Sequence, residues 1–271
     1  MPTTILPLWP AEPPEWNAAN TGPKPEMELH LLPGDAVRPL VVVFPGGGYN
    51  GLAAHEAEPY AQAANGWGCH AVVVRYRTQW HGAPRPLGTG PLRDAEQAIR
   101  IVRAHAGEWH VNPDRIAVIG SSAGGHLACT VSVHGGTGEP NAEGALARLS
   151  GRPNAAILCY AVITSKAFRH GGSMENLCGA GDPEGRAEFF SLDRHVTSQT
   201  PPMFLWHTAD DGVVPVENSL LLAMALRAAK VDFELHVFAH GAHGLGLAAD
   251  RPDIAAWVGL CGTWLGGVLG R

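Results

Sequence analysis

Five small residues form the segment of the sequence best suited to nucleophilic chemistry. Gly120–Gly124 has the pattern Gly-x-Ser-x-Gly with Ser122 at its centre, and it follows the apolar run Arg115–Ile119. In such a turn the chain passes so sharply from strand to helix that the central serine is strained and needs small neighbours. We therefore expect Ser122 to be a nucleophile and the N–H of Ala123 to face a developing oxyanion.

A serine nucleophile needs a base that removes its proton, and two histidines are candidates. His240 and His243 both lie in the glycine-containing loop after Phe238, the end of the last predicted strand. We favour His243, which precedes Gly244 in the more flexible part of the loop, and His240 is the alternative. The two also have an H-x-x-H spacing, but no third ligand lies nearby, so we expect no metal site.

The base needs an acid that orients it, and Asp210 and Asp211 are adjacent candidates. They follow a predicted strand that ends at His207, and Pro215 begins the next helix. We favour Asp211, in the tight turn before that helix, with Asp210 as the alternative. The order Ser122, Asp211, His243, each after a successive strand, is more specific than any one of these residues.

The oxyanion donors are predicted in the loop Phe44–Tyr49, where three consecutive glycines follow an aliphatic strand. Glycine lets a backbone N–H approach a substrate oxygen closely, so we assign Gly47 and Gly48 as donors together with Ala123. Gly46–Gly51 also satisfies the G-x-G-x-x-G pattern of dinucleotide sites. We reject that interpretation because the next predicted helix begins only at Pro59, whereas a dinucleotide fingerprint runs directly into its helix.

Strands and helices alternate along the chain, which predicts an α/β fold with a mostly parallel sheet and helices on both faces. We expect a single domain over residues 1–271, with a proline-rich lead-in lying against its surface. The predicted strands are Glu28–Leu32, Pro39–Phe44, His70–Tyr76, Arg115–Gly120, Ala155–Ala161, Met203–His207 and Phe233–Phe238. The predicted helices are Pro59–Asn65, Leu92–Ala106, Gly125–Val133, Val216–Ala229 and Asp253–Leu269.

The alternation breaks between Thr164 and Pro202, in a polar stretch rich in glycine. This stretch is longer than an ordinary connection. We therefore treat residues 164–202 as a candidate lid or cap insertion, with a solvated insertion of no particular role as the alternative.

Charge and composition exclude several classes of protein. The formal net charge of -6, with 19 basic and 25 acidic residues, gives no footprint for nucleic acid or an anionic membrane. The five cysteines form no C-x-x-C pair, and we expect them to be reduced. Residues 1–14 lack the basic and apolar regions of a signal peptide, so we expect a cytoplasmic protein.

Other polar and aromatic residues receive simpler interpretations. We expect Asp94 to cap a helix, His126 to be a packing residue, and His55 with Glu56 to be a loop pair without a task. Arg75 and Arg77 fit surface anchoring at a strand end. The remaining aromatic candidates are either stacking surfaces for a sugar or aryl group or core residues: Trp9, Trp16, Trp80 and Tyr49.

Taken together, these motifs resemble the α/β-hydrolase esterases of the acetyl-xylan and feruloyl esterase type, which are relatives of the hormone-sensitive-lipase-like carboxylesterases. The resemblance spans about residues 29–248. It is carried by five segments: Pro45–Tyr49, His55–Pro59, Arg75–Arg77, Asn112–Ile116 and Gly120–Ala128. One departure is Pro45, where the lipase-like branch usually has histidine.

The resemblance implies an α/β-hydrolase fold and hydrolysis of carboxylic esters without a cofactor by a triad of Ser122, His243 and Asp211. It also implies an oxyanion hole from the glycine loop and Ala123, and a short acyl group on a carbohydrate or similar small ester as the substrate. A prolyl-oligopeptidase-like peptidase has the same triad order, but the chain has no room for the usual propeller domain. A silent hydrolase-fold binding protein would normally have lost a triad member, and none is missing here.

Overall fold

The strands found among the described residues all belong to one sheet. The computed structural model describes residues 4–16, 22–79 and 86–270 of the chain. Its strands are β1 (Thr4–Pro7), β2 (Glu26–His30), β3 (Arg38–Phe44), β4 (His70–Arg75), β5 (Val111–Ser121), β6 (Ala155–Cys159), β7 (Met203–Thr208) and β8 (Phe233–Phe238). Across the described residues their order is β1-β2-β4-β3-β5-β6-β7-β8. The β1–β2 and β2–β4 pairs are antiparallel and the other pairs are parallel.

Helices cover both faces of this sheet and leave its central strands buried. They are α1 (Glu58–Gly66), α2 (Gly90–Ala104), α3 (Ser122–His134), α4 (Gly171–Cys178), α5 (Glu217–Ala229) and α6 (Pro252–Leu269). Side chains of α2, α3 and α5 share one apolar cluster, and those of α1 and α6 share a second. In β3, Val42 belongs to the first cluster whereas Val41 and Val43 belong to the second. The aliphatic run of β3 therefore has no polar side because both of its faces are covered.

The α/β class and the mostly parallel sheet with helices on both faces are confirmed. Two details differ from the prediction. Thr4–Pro7, in the proline-rich lead-in for which no strand was predicted, is the edge strand β1, where a proline is tolerated because an edge strand has unpaired N–H positions. The helix predicted to begin at Gly125 begins at Ser122, so the turn from β5 into α3 involves no intervening loop.

The candidate lid, residues 164–202, is packed against the body of the protein rather than fully solvated. It contains α4, and Leu177, Phe190 and Leu192 from this stretch are buried in the core. The Nδ2 of Asn176 donates a hydrogen bond to the carbonyl of Gly48 at 2.8 Å. The insertion is therefore fastened directly to the glycine loop, and its role as a moving lid stays a prediction.

A buried ion pair joins the N-terminal arm, residues 4–16, to the sheet. Arg77 contacts both carboxylate oxygens of Asp94, with 2.6 Å between Nη2 and Oδ1, and its Nη1 donates to the carbonyl of Pro14. The indole of Trp9 donates to the same carboxylate at 2.9 Å. The predictions of a helix cap for Asp94 and surface anchoring for Arg77 were therefore wrong, because both side chains are buried. Burial is tolerated because each charge has a partner.

None of the described helices is both long and apolar enough to cross a membrane. The five cysteines are free and buried, as the absence of a C-x-x-C pair suggested. Burial raises the pKa of the Cys159 thiol to about 12, so this group remains a neutral apolar packing residue.

Candidate active site

Ser122 occupies a strained turn at the carboxyl end of β5. Its φ of 52° lies in the left-handed region, which a residue other than glycine rarely adopts. The turn is held closely against β3, because a Cβ at Gly124 would overlap the carbonyl oxygen of Phe44. Ala123 is the second residue of α3, where a helix leaves its N–H without an acceptor of its own. The sequence pattern is thus expressed as a sharp strand-to-helix elbow with an N–H group beside the serine.

His243 and Asp211 extend from Ser122 as a chain of hydrogen bonds. The Nε2 of His243 lies 2.9 Å from Ser122 Oγ, and its Nδ1 lies 2.6 Å from Asp211 Oδ2. The imidazole is 15% exposed and the carboxylate is fully buried. Because a carboxylate accepts, Nδ1 carries the proton and donates to Asp211, which leaves Nε2 free to accept from the serine hydroxyl. This arrangement is the one in which an imidazole can remove a serine proton.

The Asp211 carboxylate is held ionised by the groups around it. Burial alone raises its pKa, but hydrogen bonds from His207, His243 and the backbone N–H groups of Val213 and Val214 hold the pKa well below its usual range. The two backbone N–H groups donate to Oδ1 at 2.8 and 2.9 Å. With Oδ1 occupied in this way, Oδ2 is directed at His243.

The alternative acid and base form a second, separate pair. The Nδ1 of His240 lies 3.0 Å from Asp210 Oδ2, and Asp210 Oδ1 accepts from the N–H of Gly241. The side chains of His240 and Asp210 are 82% and 52% exposed. The structure therefore brings His243 and Asp211, rather than these two residues, together with Ser122.

The glycine loop lies beside the elbow and is tightly folded. A Cβ at Gly46 would lie 3.2 Å from that of Ser122. Gly47 and Gly48 have positive φ values of 129° and 65°. A Cβ at Gly47 would overlap the carbonyl of Gly51, so only glycine fits there. Within the described part of the chain, the N–H groups of Gly47 and Gly48 have no acceptor, so their assignment as oxyanion donors stays open as a prediction.

Two buried histidines near the site are held by structural partners. The Nδ1 of His126 lies 2.9 Å from the Tyr49 hydroxyl and its Nε2 lies 3.0 Å from the carbonyl of Phe190. Burial lowers the pKa of His126 to about 4. His207 contacts the hydroxyl of Ser219 and the carbonyl of Val214, and its Nε2 also lies 3.4 Å from Asp211 Oδ2. His126 is the packing residue that the sequence suggested.

His170, at the start of α4, is a residue near the site that sequence reasoning missed. Its ring lies over the glycine loop, where a Cβ on Gly48 would be 3.9 Å from Cε1. The N–H of Ser173 donates to its Nδ1, so the proton of the neutral ring is on Nε2. Burial lowers the pKa of His170, and the nearby His243 lowers it further. No motif in the sequence places this residue beside His243, since it lies in the irregular insertion.

Glu56 is a second functional candidate that the sequence did not reveal. Instead of lying free in a loop, it is 2% exposed and its Oε2 accepts from the N–H of Gly46 at 2.8 Å. Its Oε1 accepts from the Tyr160 hydroxyl at 2.7 Å. The glycine loop therefore rests on a buried carboxylate.

A cavity of about 550 Å³ adjoins the glycine loop, and its walls include Pro45, Leu52, Glu26 and Arg75. None of the predicted catalytic or oxyanion residues lines this cavity, so it is not the space in which Ser122 acts.

The aromatic candidates have separate outcomes. Trp16 also lines that cavity and lies 5.9 Å from the Arg77 guanidinium. Tyr49 is a buried core residue, and Trp80 lies outside the described residues. Among the residues described, no group of three or more histidine, cysteine or acidic side chains could hold a metal ion.

Comparison with known proteins identifies the family to which the chain belongs. The BD-FAE family model matches residues 27–226. The chain is 37% identical over 241 residues to endo-1,4-beta-xylanase B of Butyrivibrio fibrisolvens, covering 89% of this chain and 38% of that protein. It is 32% identical over 222 residues to an acetylxylan esterase of Xylanibacter ruminicola, covering 80% of this chain and 43% of that protein. The chain thus spans about two fifths of the length of these curated relatives.

A solved structure agrees over nearly the whole chain. The acetyl ester-xyloside bifunctional hydrolase from Caldicellulosiruptor lactoaceticus superposes with a TM-score of 0.92 and 42% identity, covering 98% of this chain and 96% of that one. The fold and these similarities agree with the resemblance inferred from the motifs. The chain belongs to the BD-FAE family and is an α/β hydrolase of the acetylxylan and feruloyl esterase type.

Proposed function

We propose that the protein is a serine esterase that hydrolyses short acyl esters, acetyl esters above all, on carbohydrates or similar small alcohols. The observation that carries the proposal is the continuous set of contacts from Ser122 Oγ through His243 to Asp211, at 2.9 and 2.6 Å. The named relatives support ester hydrolysis as the reaction, and two of them have acetyl esters in their names.

The first half of the reaction transfers the acyl group to the enzyme. Ser122 Oγ attacks the ester carbonyl carbon while its proton passes to Nε2 of His243. The carbonyl oxygen becomes an oxyanion that accepts hydrogen bonds from the N–H groups of Gly47, Gly48 and Ala123. The tetrahedral intermediate then collapses, the bond to the alcohol oxygen breaks, and His243 returns the proton to the departing alcohol.

The second half releases the acid. A water molecule gives its proton to Nε2 of His243 and attacks the acyl-enzyme carbonyl, and the same N–H groups hold the second oxyanion. This intermediate then collapses, the bond between the acyl carbon and Ser122 Oγ breaks, and His243 returns the proton to Oγ, which frees the acid and restores the serine. Asp211 keeps Nδ1 protonated and stabilises the imidazolium in both halves. This role fits the depressed pKa of Asp211, because the carboxylate stays charged across the neutral range.

The alcohol part of the substrate is assigned to the side of the site formed by the insertion. His170 has its Nε2 proton available, and it lies over the glycine loop. A sugar hydroxyl or the ester's bridging oxygen could accept from this group. Polar donors of this kind favour an alcohol rich in hydroxyl groups over an aliphatic one.

The test is hydrolysis of a p-nitrophenyl ester series from acetate to decanoate, beside acetylated xylan, with Ser122→Ala as the control. We expect rapid turnover of acetate, a steep fall beyond short acyl chains, and release of acetate from xylan. Ser122→Ala should lower kcat by about 10³ or more while its circular dichroism spectrum stays unchanged. Substantial turnover by the purified variant would contradict the proposal.

Two further substrates separate the alternatives. A p-nitroanilide of an amino acid, cleaved faster than the matching ester, would favour a peptidase. Cleavage of p-nitrophenyl xyloside that disappears with Ser122→Ala would widen the proposed activity to glycosides, as the name of the structural relative includes xyloside. If no substrate turns over, a binding protein becomes the better interpretation.

A further inference from the structure

The carboxylate of Glu56 has no part in the reaction proposed above, although it is buried beside the reaction site. Burying a carboxylate is unfavourable unless hydrogen bonds compensate for the lost water. Glu56 receives two such bonds, and they come from widely separated parts of the chain. Gly46 is 10 residues away and Tyr160 is 104 residues away.

The contact with Gly46 fixes the start of the glycine loop. A Cβ built on Gly46 would be only 2.5 Å from Glu56 Oε2, so the backbone is seated directly on the carboxylate. Because Gly46 immediately precedes Gly47 and Gly48, a displacement of this contact moves both proposed oxyanion donors.

Tyr160 continues the connection to the loop that carries His243. Burial raises the pKa of Tyr160 well above its usual value, and the neighbouring Glu56 carboxylate raises it further, so the hydroxyl keeps its proton. The hydroxyl therefore donates to Glu56, and it accepts from the N–H of Gly246 at 2.8 Å. Its ring also packs edge-on against His243, with 5.1 Å between ring centroids.

Two additional observations indicate that this connection is held firmly. Tyr160 has a φ of 37°, an unfavourable conformation that persists only where its surroundings enforce it. His55, next to Glu56, contacts the carbonyl of Gly244 through Nε2 at 2.9 Å. The short turn that contains His55 and Glu56 thus contacts Gly244 directly and is connected to Gly246 through Tyr160.

We propose that Glu56 and Tyr160 are positioning residues of the proposed esterase, which set the distance between the oxyanion donors and the catalytic base. The brace consists of four groups in series: the Gly46 N–H, the Glu56 carboxylate, the Tyr160 hydroxyl and the Gly246 N–H. The inference rests on the proposed function. An error of about 1 Å in the position of catalytic groups costs about 10² in rate, so loss of the brace should lower kcat more than it changes KM.

Tyr160→Phe is the sharpest test because it removes one oxygen atom and keeps the ring against His243. It deprives Glu56 of a donor and Gly246 of an acceptor. We expect kcat for p-nitrophenyl acetate to fall by about 10-fold to 100-fold, with KM within about threefold of the wild type. The amplitude of the p-nitrophenol burst counts active sites, so kcat is compared per functional molecule.

Glu56→Gln is the second variant, and the double variant tests whether the two residues act together. The amide cannot accept from both Gly46 and Tyr160 as the carboxylate does, so we expect a fall in kcat of similar size. If both single variants break the same chain of hydrogen bonds, the kcat of the double variant should be little lower than that of either single variant. Additive losses would overturn the connection between the two residues.

A buried hydroxyl elsewhere provides the matched control. Ser132 donates to the carbonyl of Ala128 within α3 at 2.7 Å, so Ser132→Ala removes one buried hydrogen bond far along the helix from the loops. It should leave kcat per active site unchanged. An equal fall in this variant would show that loss of any buried bond lowers the rate, which would overturn the positioning role.

Inhibition by phenylboronic acid separates a positioning role from a purely structural one, because a loss of stability alone would not change the inhibition constant. A boronate forms a tetrahedral adduct with a serine and resembles the intermediate in its demand on the oxyanion donors. Its inhibition constant should rise in Tyr160→Phe while the affinity for a product alcohol stays unchanged. If wild-type turnover is lost in Ser122→Ala but Tyr160→Phe keeps full kcat and boronate affinity, the brace is overturned and the esterase assignment stands. Failure of both Tyr160→Phe and Glu56→Gln to fold would assign the pair to stability alone.

Discussion

Two aspartate–histidine pairs lie side by side in this protein and differ greatly in their surroundings. Asp211 with His243 and Asp210 with His240 come from the same two loops, and each pair is joined through Nδ1. The first pair is buried and reaches Ser122, whereas the second is exposed and its histidine carbonyl accepts from Arg251. Residue type and spacing are therefore insufficient to identify a catalytic pair.

The difference arises from the turn after β7. Its backbone N–H groups at Val213 and Val214 both donate to Asp211, which turns that carboxylate inward. Asp210 instead accepts from the N–H of Gly241 and holds the outer part of the histidine loop. The exposed pair thus stabilises the loop that carries His243, while the buried pair is available for proton transfer.

Replacing each histidine by alanine should give the largest difference in kcat between the two pairs. We expect His243→Ala to lower kcat for p-nitrophenyl acetate by about 10⁴ or more, because no other base contacts Ser122 among the described residues. His240→Ala, the matched control, should change kcat by less than about threefold, since its contact with Asp210 is solvent-exposed. Steady-state kinetics on both variants is the measurement, and a similar loss in both would remove the distinction.

Replacing each aspartate by asparagine should give a smaller, but still large, difference in kcat between the two pairs. Asp211→Asn should lower kcat by about 10³ to 10⁴, because an amide favours the wrong histidine tautomer. Asp210→Asn should leave kcat within about threefold. Measuring both kcat and KM is informative, since equal effects of the two variants would indicate that the outer pair also orients the base.

The glycine loop can be compared in the same way with the turn after β7, which carries Asp211. Gly47→Ala forces a side chain into a φ of 129° and into the Gly51 carbonyl, so we expect kcat to fall by about 10². Gly212→Ala, next to Asp211, adds a Cβ that meets no atom within 4 Å and should have little effect. A Gly47→Ala enzyme with wild-type kcat would exclude this loop from the oxyanion site.

The smallest difference between the two aspartates should lie in how their contributions to folding stability depend on pH. The folded-state pKa of Asp211 is depressed, so its contribution to stability is complete above the unfolded pKa of about 3.9 and is lost as pH falls through the folded value. The difference in unfolding free energy between wild type and Asp211→Asn should therefore be constant above about pH 5 and shrink below about pH 4. Asp210 also has a lowered pKa but is exposed, so Asp210→Asn should show a weaker trend. Urea denaturation at several pH values measures both.

Local patterns predicted much of the fold and the position of the candidate site. The elbow at Ser122 and the glycine loop are encoded within a few consecutive residues, because each needs small side chains at fixed offsets from a strand end. The loops that follow β7 and β8 could be placed once the strands were recognised. These features require no knowledge of distant contacts.

The residues that sequence reasoning missed depend on partners far along the chain. Nothing near Glu56 indicates that it will be buried, since Tyr160 is 104 residues away. Arg77 and Asp94 likewise form an ion pair that neither residue's neighbours specify. The placement of His170 depends on the fold of an irregular insertion. Such contacts follow from the packing of whole elements, which composition and periodicity describe only coarsely.

The N-terminal arm affects the behaviour of partly folded molecules. Trp9 and Pro14 can make their contacts only after Asp94 and Arg77, which are 85 and 63 residues further along the chain, have been placed. Until β1 pairs with β2, the edge of β2 is open, and open sheet edges are where partly folded chains associate with one another. The arm contributes no atom to the reaction site, so damage to it would be visible first as aggregation during folding.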